Sequence, residues 1–483
     1  MRIVIDLQGC QSGSKRGGIG RYSMALATAM AAQPRDHQIW IALSALMPDS
    51  IAGVRRAFEG LIPYQRIQIF DCPAYIDTRT ADPARVRAAE LVREDFMMSL
   101  APDIVHITSL FEGFGEEVVT SVGQHFSGDQ TAVTLYDLIP LVSSARYLPD
   151  FKSRDYYERK IENIKKAGLL LAISEFTRQE GIDLLGCDPE DVVNISSAAD
   201  ERFKPAVVDP ARAARLLSRY GIRRKFLMYT ASFDPRKNQA GLISAFALLP
   251  RELRQQYQLA IVGNGSDDAV SKARLLAEKS GLGADEVVFP GHIVDVDLVA
   301  LYNLCHLFIL PSLAEGFGLP ALEAMACGTA TIGSNVTSLP EVISWSEAMF
   351  DPTDPAKIAE KIYQALTDDG FLIELRRRGL AQSKKFSWAR CADRAFDAFE
   401  ARHERSERAR AQTQSCAERD ANSPAQPAPF QANDNIEAVV SKIAEISGLT
   451  RLTNQDLLEI ADTLASNRIS IESLFATPTA DLR

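Results

Sequence analysis

The chain has 483 residues, 46% hydrophobic and 24% charged, with a formal net charge of −10. That length accommodates two or three domains of roughly 100–200 residues each. The acidic balance excludes nucleic acid as the main partner, because phosphate binding needs a basic surface. No stretch approaches the roughly 18 consecutive apolar residues of a membrane span. The first residues, "MRIVIDLQGC", enter a strand pattern at once and lack a signal peptide's apolar region. Seven scattered cysteines without paired spacing suit reduced thiols, so the expected location is the cytoplasm. Cys305 and Cys327 fall in apolar runs and are expected in the core.

In chain order, the first half offers strand patterns at "RIVIDL", "QIWIAL", "RIQIF", "DIVHIT", "AVTLYDL" and "LLLAIS". The second half offers "KFLMYTAS", "QLAIVGNG", "EVVFPGHI", "LFILPS" and "TATIGS". Short apolar runs without alternation suit strands covered on both faces, and their alternation with helical patterns predicts βαβ units. The expected fold class is therefore α/β, with two facing Rossmann-like, doubly wound domains. Residues 1–205 form the first and 206–410 the second, parted near "ERFKPAVVDP". Such folds bind ligands at the carboxyl ends of their strands. Arg390 to Arg410 reads as a final charged helix. Residues 411–433, poor in aromatics and rich in Ala, Gln and Pro, read as a disordered linker. Residues 434–483 read as a short helical tail. In it, Ile436, Val439, Val440, Ile443 and Ile446 recur at helical spacing up to Gly448, and Thr453 caps a second helix carrying Leu457, Leu458, Ala461 and Leu464. The expectation is that this tail docks on the catalytic body or on another subunit, with self-association as one outcome.

"PSLAEGFGLPALEAMACGTA" (Pro311 to Ala330) carries the most chemistry. It follows a strand pattern, Gly316 and Gly318 interrupt it, Pro320 suits a helix start and Gly328 a helix stop. Glu315 then lies in the loop, and Glu323 in the first helical turn. The amides of Phe317, Gly318 and Leu319 are expected to point outward as an anion site. A helix start that attracts anions, flanked by two carboxylates, fits a ligand bearing both phosphates and hydroxyls, such as a nucleotide sugar.

This stretch resembles the paired-glutamate motif of the retaining group 1 (family 4) glycosyltransferases with the GT-B fold, mannosyltransferases among them. Three further segments, in order, carry the resemblance. "GGIGRY" (Gly17 to Tyr22) is similar to the glycine loop after the first strand. "ISEFTRQEG" (Ile173 to Gly181) resembles the serine-containing segment closing the first domain, and "DPRKN" (Asp234 to Asn238) the basic phosphate loop of the second. The resemblance spans residue 1 to about residue 400 and leaves out the tail. It implies that Glu315 lies by the transferred sugar and its phosphate, and that Glu323 holds the ribose hydroxyls. Lys237 with Arg236 takes the diphosphate, and Gly17 and Gly18 let the backbone approach the donor.

Two departures stand out. The family's additional arginine is missing from "TASFD", so Arg236 is the substitute. Tyr136 occupies the place where many members carry a histidine, and Asp137 follows as a candidate to orient the acceptor. Which group takes the acceptor proton stays open among Asp137, His106 and, as the resemblance implies, the departing phosphate oxygen. "DVD" (Asp295 to Asp297) reads as a helix cap, so no essential metal and no cofactor is expected. "FKSRDYYERKIENIKKAG" (Phe151 to Gly168) brings six basic residues and two tyrosines to the acceptor-side domain. It is either a solvated mixed-charge helix or a peripheral contact with the inner face of the cell membrane. The expected activity is transfer of a sugar, taken as mannose from GDP-mannose, to a polysaccharide or lipid-linked glycan. A non-catalytic binding or scaffold protein of the same fold is the competing expectation.

Overall fold

The computed structural model describes residues 1–419 and 454–475. The chain forms two compact units. One comprises Met1–Ala172, Arg178–Ile195 and the chain from Ala389 onward, and the other Ile173–Thr177 with Ser196–Trp388.

The first unit is built on seven parallel strands: β1 (Arg2–Asp6), β2 (Gln38–Ser44), β3 (Ile67–Phe70), β4 (Ile104–Ile107), β5 (Thr131–Leu135), β6 (Leu169–Ala172) and β7 (Val192–Asn194). They lie in the order β3-β2-β1-β4-β5-β6-β7. The order reverses between β1 and β4, so the crevice where such sheets take ligands opens beside the loops leaving these two strands. Ile3, Val4 and Ile5 have no exposure, as strands buried on both faces require. At the end of β1, Asp6 is held by Arg93 Nε at 2.8 Å and by the Gln8 amide at 3.0 Å.

The second unit has six parallel strands: β8 (Lys225–Thr230), β9 (Tyr257–Val262), β10 (Val287–Gly291), β11 (Leu307–Leu310), β12 (Thr331–Ser334) and β13 (Met349–Phe350). Their order is β10-β9-β8-β11-β12-β13. Here the switch falls between β8 and β11, which pair directly at Leu307 with Leu227 and Phe308 with Met228. The loops after β8 and β11 are "DPRKN" and "PSLAEGFG", so topology makes neighbours of segments about 80 residues apart in sequence.

Two expectations are corrected here. The last charged helix runs from Trp388 to Arg419 and enters the segment expected to be linker. Low hydrophobicity argues against a core but not against a helix, and Ala, Gln, Glu and Arg continue one readily. From Ala389 this helix belongs to the first unit rather than the second. Arg35 reaches its Asp397 at 2.8 Å and Glu400 at 3.2 Å, and its own Arg402 reaches Asp191 at 3.2 Å. In the tail, the helix Asn454–Phe475 packs on the helix Pro83–Ser99 with Ile460 and Leu464 buried, whereas Leu458 is 65% exposed. Arg85 ties it down through Asp456 at 2.8 Å and Glu459 at 3.0 Å, and Asn467 accepts from the Asp71 amide at 2.9 Å. The remainder of the linker, the first tail helix and the Thr453 cap lie outside the described residues. Among the described residues no helix is long and apolar enough to cross a membrane.

Candidate active site

The loop after β8 is shaped by its own side chains. Asp234 accepts the Arg236 amide at 2.9 Å and closes the single turn Pro235–Lys237. Asn238 follows at φ +57°, a left-handed position that asparagine tolerates better than most residues. Its amide donates to the carbonyls of Pro311 at 3.0 Å and Pro352 at 2.8 Å, and the Leu313 amide donates to the Arg236 carbonyl at 2.7 Å. The phosphate-loop candidate is thus stitched to the loop that carries Glu315.

Glu315 is 6% exposed and lies at the centre of these bonds. Lys237 Nζ is 2.7 Å from each of its oxygens, Ser312 Oγ donates at 2.7 Å, and Arg236 stands at 3.6 Å. Its backbone is fixed as well, the amide donating to Thr337 Oγ1 at 3.0 Å and the carbonyl accepting from Ser338 Oγ at 2.9 Å. Burial works to raise its pKa, but the charges of Lys237 and Arg236 outweigh burial and hold it below the usual carboxylate range.

Beyond Glu315, the Gly316 carbonyl accepts from Thr177 Oγ1 at 3.2 Å, which anchors the "ISEFT" segment to this turn. Gly318 has φ +103°, and a Cβ there would collide with Leu339. Glycine is required, and the helix Leu319–Ala326 begins straight after it, with Pro320 in its first turn. Among the described residues, the amides of Phe317, Gly318 and Leu319 donate to no protein acceptor, as the first N–H groups of a helix commonly do not. Glu323 is half-buried in this helix, with Oε2 accepting from the Tyr302 hydroxyl at 3.0 Å. Tyr302 is in turn bonded to Thr230 Oγ1 at 3.0 Å, at the end of β8.

The structure therefore brings Arg236, Lys237, Glu315, Phe317, Gly318, Leu319 and Glu323 together around the β8–β11 switch point. Phe317 contributes its amide, because its ring is buried against Phe386 at 5.6 Å. Motif reading missed Ser312, Thr337, Tyr302 and Asn238. Of these, only Asn238 carried a signal, as a left-handed-tolerant residue closing a basic turn.

Gly17, Gly18, Asp137 and His106 belong to the first unit. Gly17 and Gly18 are exposed after β1, and a Cβ on Gly18 would meet nothing within 4 Å. The glycine that packing demands is Gly20, where a Cβ would come within 2.5 Å of Lys15 Cα. Tyr136 donates to the Thr108 carbonyl at 3.0 Å and shares a hydrogen bond with Ser23 at 2.9 Å. Asp137 accepts the Ile139 amide at 3.1 Å, which is a helix-starting bond. His106 is fully buried, bonded to Thr134 at 2.9 Å and pushed down to about 3 by burial, so it is a neutral core histidine. In the Phe151–Ile164 helix, Tyr156, Tyr157 and Lys160 face the core and not a surface. The "DVD" carboxylates are not caps: Asp295 pairs with Arg202 at 2.7 Å, and Asp297 accepts from the Tyr220 hydroxyl at 2.9 Å.

The glycosyl transferases group 1 family matches residues 219–386, the part of the second unit that carries the site. The serotype-specific mannosyltransferase WbdA of Escherichia coli is 40% identical over 401 residues, covering 83% of this chain and 48% of that protein. The O-antigen chain mannosyltransferase B of Escherichia coli is 36% identical over 273 residues, covering 56% of this chain and 70% of it. The chain belongs to the group 1 glycosyltransferases. It spans about half the length of the WbdA proteins that it matches. Among solved structures, WaaG, a glycosyltransferase involved in lipopolysaccharide biosynthesis, superposes with a TM-score of 0.58 at 17% identity, over 82% of this chain and 99% of its own. Anabaena Alr3699/HepE in complex with UDP-glucose gives a TM-score of 0.60 at 17% identity, over 83% and 100%. At such identity the likeness establishes the fold, and the fold is GT-B.

Proposed function

We propose that this chain transfers mannose from GDP-mannose, with retention of anomeric configuration, to a polysaccharide or lipid-linked glycan. The observation that carries the reading is the Glu315–Lys237 pair beside the helix start at Leu319, whose first N–H groups suit an anion. A leaving nucleoside diphosphate needs positive charge and N–H donors in fixed positions. The ammonium of Lys237 has three N–H groups; two serve Glu315, and a phosphate oxygen takes the third. Because Glu315 and Asp234 offset much of the charge of Lys237 and Arg236, the amides of Phe317, Gly318 and Leu319 carry a large share of the anion stabilisation. Glu315, held ionised, accepts from the hydroxyls of the transferred sugar, and Glu323 accepts from the ribose. Gly17 and Gly18 approach the donor, and Asp137 orients the acceptor.

The mannose assignment is supported by relatives described as mannosyltransferases. The test is incubation with GDP-mannose and UDP-glucose, separately, with an oligomannoside acceptor. GDP release and acceptor extension from GDP-mannose alone are expected. Turnover of UDP-glucose would overturn the donor assignment, and absence of turnover with both would favour the binding-protein alternative.

A further inference from the structure

In the first unit, the loop between β3 and the helix Pro83–Ser99 leaves one aromatic side chain uncovered. Tyr75 is 79% exposed, and its backbone is left-handed at φ +60°. A bulky residue rarely adopts that region, and such strain persists only where the surroundings over-determine it.

Here the surroundings do so. Before Tyr75, the Ala74 carbonyl accepts from Arg85 Nε at 2.6 Å; after it, the Ile76 amide donates to Glu117 Oε2 at 2.9 Å. Thr78 bonds the Gly113 carbonyl twice, by its amide at 3.1 Å and its hydroxyl at 2.6 Å. Asp77 accepts the Gly115 amide at 2.8 Å, and Lys152 Nζ donates to the Arg79 carbonyl at 3.0 Å. The tyrosine is therefore fixed at its base and bare at its ring.

The β3 and β4 loops leave the carboxyl ends of their strands, the edge where doubly wound sheets take ligands. The β4 loop also holds the turn before Gly17, because Glu116 accepts the Gly13 amide at 2.7 Å. One braced wall thus connects the glycine loop with Tyr75. In the order β3-β2-β1-β4, β3 is the edge strand and stands two strands beyond β1, roughly 10 Å along the sheet.

A rigid tyrosine offers a flat apolar face with little side-chain entropy to lose, and a hydroxyl at its rim. The charged side chains of the bracing contacts are Asp77, Glu116 and Glu117 against Arg79 and Lys152. Without a surplus of positive charge, this set suits a neutral ligand rich in hydroxyls and disfavours phosphates or an anionic lipid surface. A pyranose ring has the matching pattern, a face of C–H bonds and an edge of hydroxyls.

We propose that Tyr75 is the platform of an outlying acceptor subsite, where a hexose of a neutral glycan stacks on the tyrosine ring and Asp77 and Arg79 bond its hydroxyls. The occupant is a sugar beyond the one that receives the transferred residue, so the subsite makes the protein sensitive to acceptor length. This rests on the reading of the chain as a transferase acting on a glycan.

The test is titration of the full chain, without donor, with mannobiose and with mannopentaose, followed by steady-state kinetics on each. The wild type should bind mannopentaose more tightly than mannobiose. Tyr75→Ala should lose roughly threefold to tenfold in affinity for mannopentaose, and Tyr75→Phe, which keeps the ring, should stay close to the wild type. The KM for mannopentaose should rise by the same factor in Tyr75→Ala while kcat holds. Equal affinity of Tyr75→Ala and the wild type for mannopentaose, or an equal loss in Tyr75→Phe, overturns the platform. Phosphatidylglycerol vesicles that sediment the wild type but not Tyr75→Ala overturn the glycan assignment. Binding of mannopentaose that depends on Tyr75, without turnover of GDP-mannose, upholds the platform and contradicts only the transfer reading.

Discussion

Glu315 and Lys237 form a buried pair, 6% and 12% exposed at the side chain, and removing one partner leaves the other uncompensated. Lys237→Met should therefore lower unfolding free energy by about 3–5 kcal/mol, and the double variant with Glu315→Gln by clearly less. Chemical denaturation of the wild type, both single variants and the double variant tests this, and additive losses would contradict it. Because the folded-state pKa of Glu315 lies below its unfolded value, its contribution is full above the unfolded pKa and is lost as pH falls through the folded one. Acid titration of stability should show this loss in the wild type and not in the double variant. For activity, Glu323→Ala should raise the donor KM and Glu315→Ala should lower kcat, each by roughly tenfold to a hundredfold, the loss of a charged hydrogen bond at about 1.5–3 kcal/mol. Steady-state kinetics on both variants checks the division of labour.

At the scale of elements, the helix start at Leu319 depends on a left-handed Gly318 beneath Leu339. Gly318→Ala should cost about 1–3 kcal/mol in strain alone and move the amides out of place. A lower thermal midpoint together with a weakened response to GDP checks it. The tail helix Asn454–Phe475 is docked on the first unit by Ile460, Leu464 and the Arg85 ion pairs, whereas the β8–β11 loops belong to the second. A chain ending at Arg419 should keep its transfer activity on an oligomannoside acceptor. It should also unfold more easily, since each buried aliphatic side chain contributes about 1.5–3 kcal/mol. Complete loss of transfer would contradict this.

Across the whole molecule, strands were readable where burial on both faces leaves an unbroken apolar run, as in "LFILPS" and "RIVIDL". The edge strands β7 and β13, three and two residues long, leave no such run and went unread. Glu315, Glu323 and the glycine-interrupted helix start stood out because they share one short stretch, whereas Lys237, 78 residues before Glu315, stood out only through the resemblance of "DPRKN" to a known phosphate loop. The partners that position them, Ser312, Thr337 and Tyr302, come from topology, which sequence spacing does not record. Gly17 and Gly18 stood out through the resemblance of "GGIGRY" to a glycine loop, although Gly20 is the position that packing requires. Assignment of the last helix also failed, because its charge pattern shows that it is amphipathic but not which sheet its apolar face covers.

The central claim is that fixed protein charges and amides, without a metal ion, stabilise a leaving nucleoside diphosphate during retaining transfer. The most direct measurement is NMR of the anomeric configuration of the product formed from GDP-mannose after exhaustive chelation. The account predicts undiminished transfer and an α-mannoside, the configuration of the donor. Activity that disappears with the chelator and returns with magnesium or manganese, or a β-mannoside product, would contradict it.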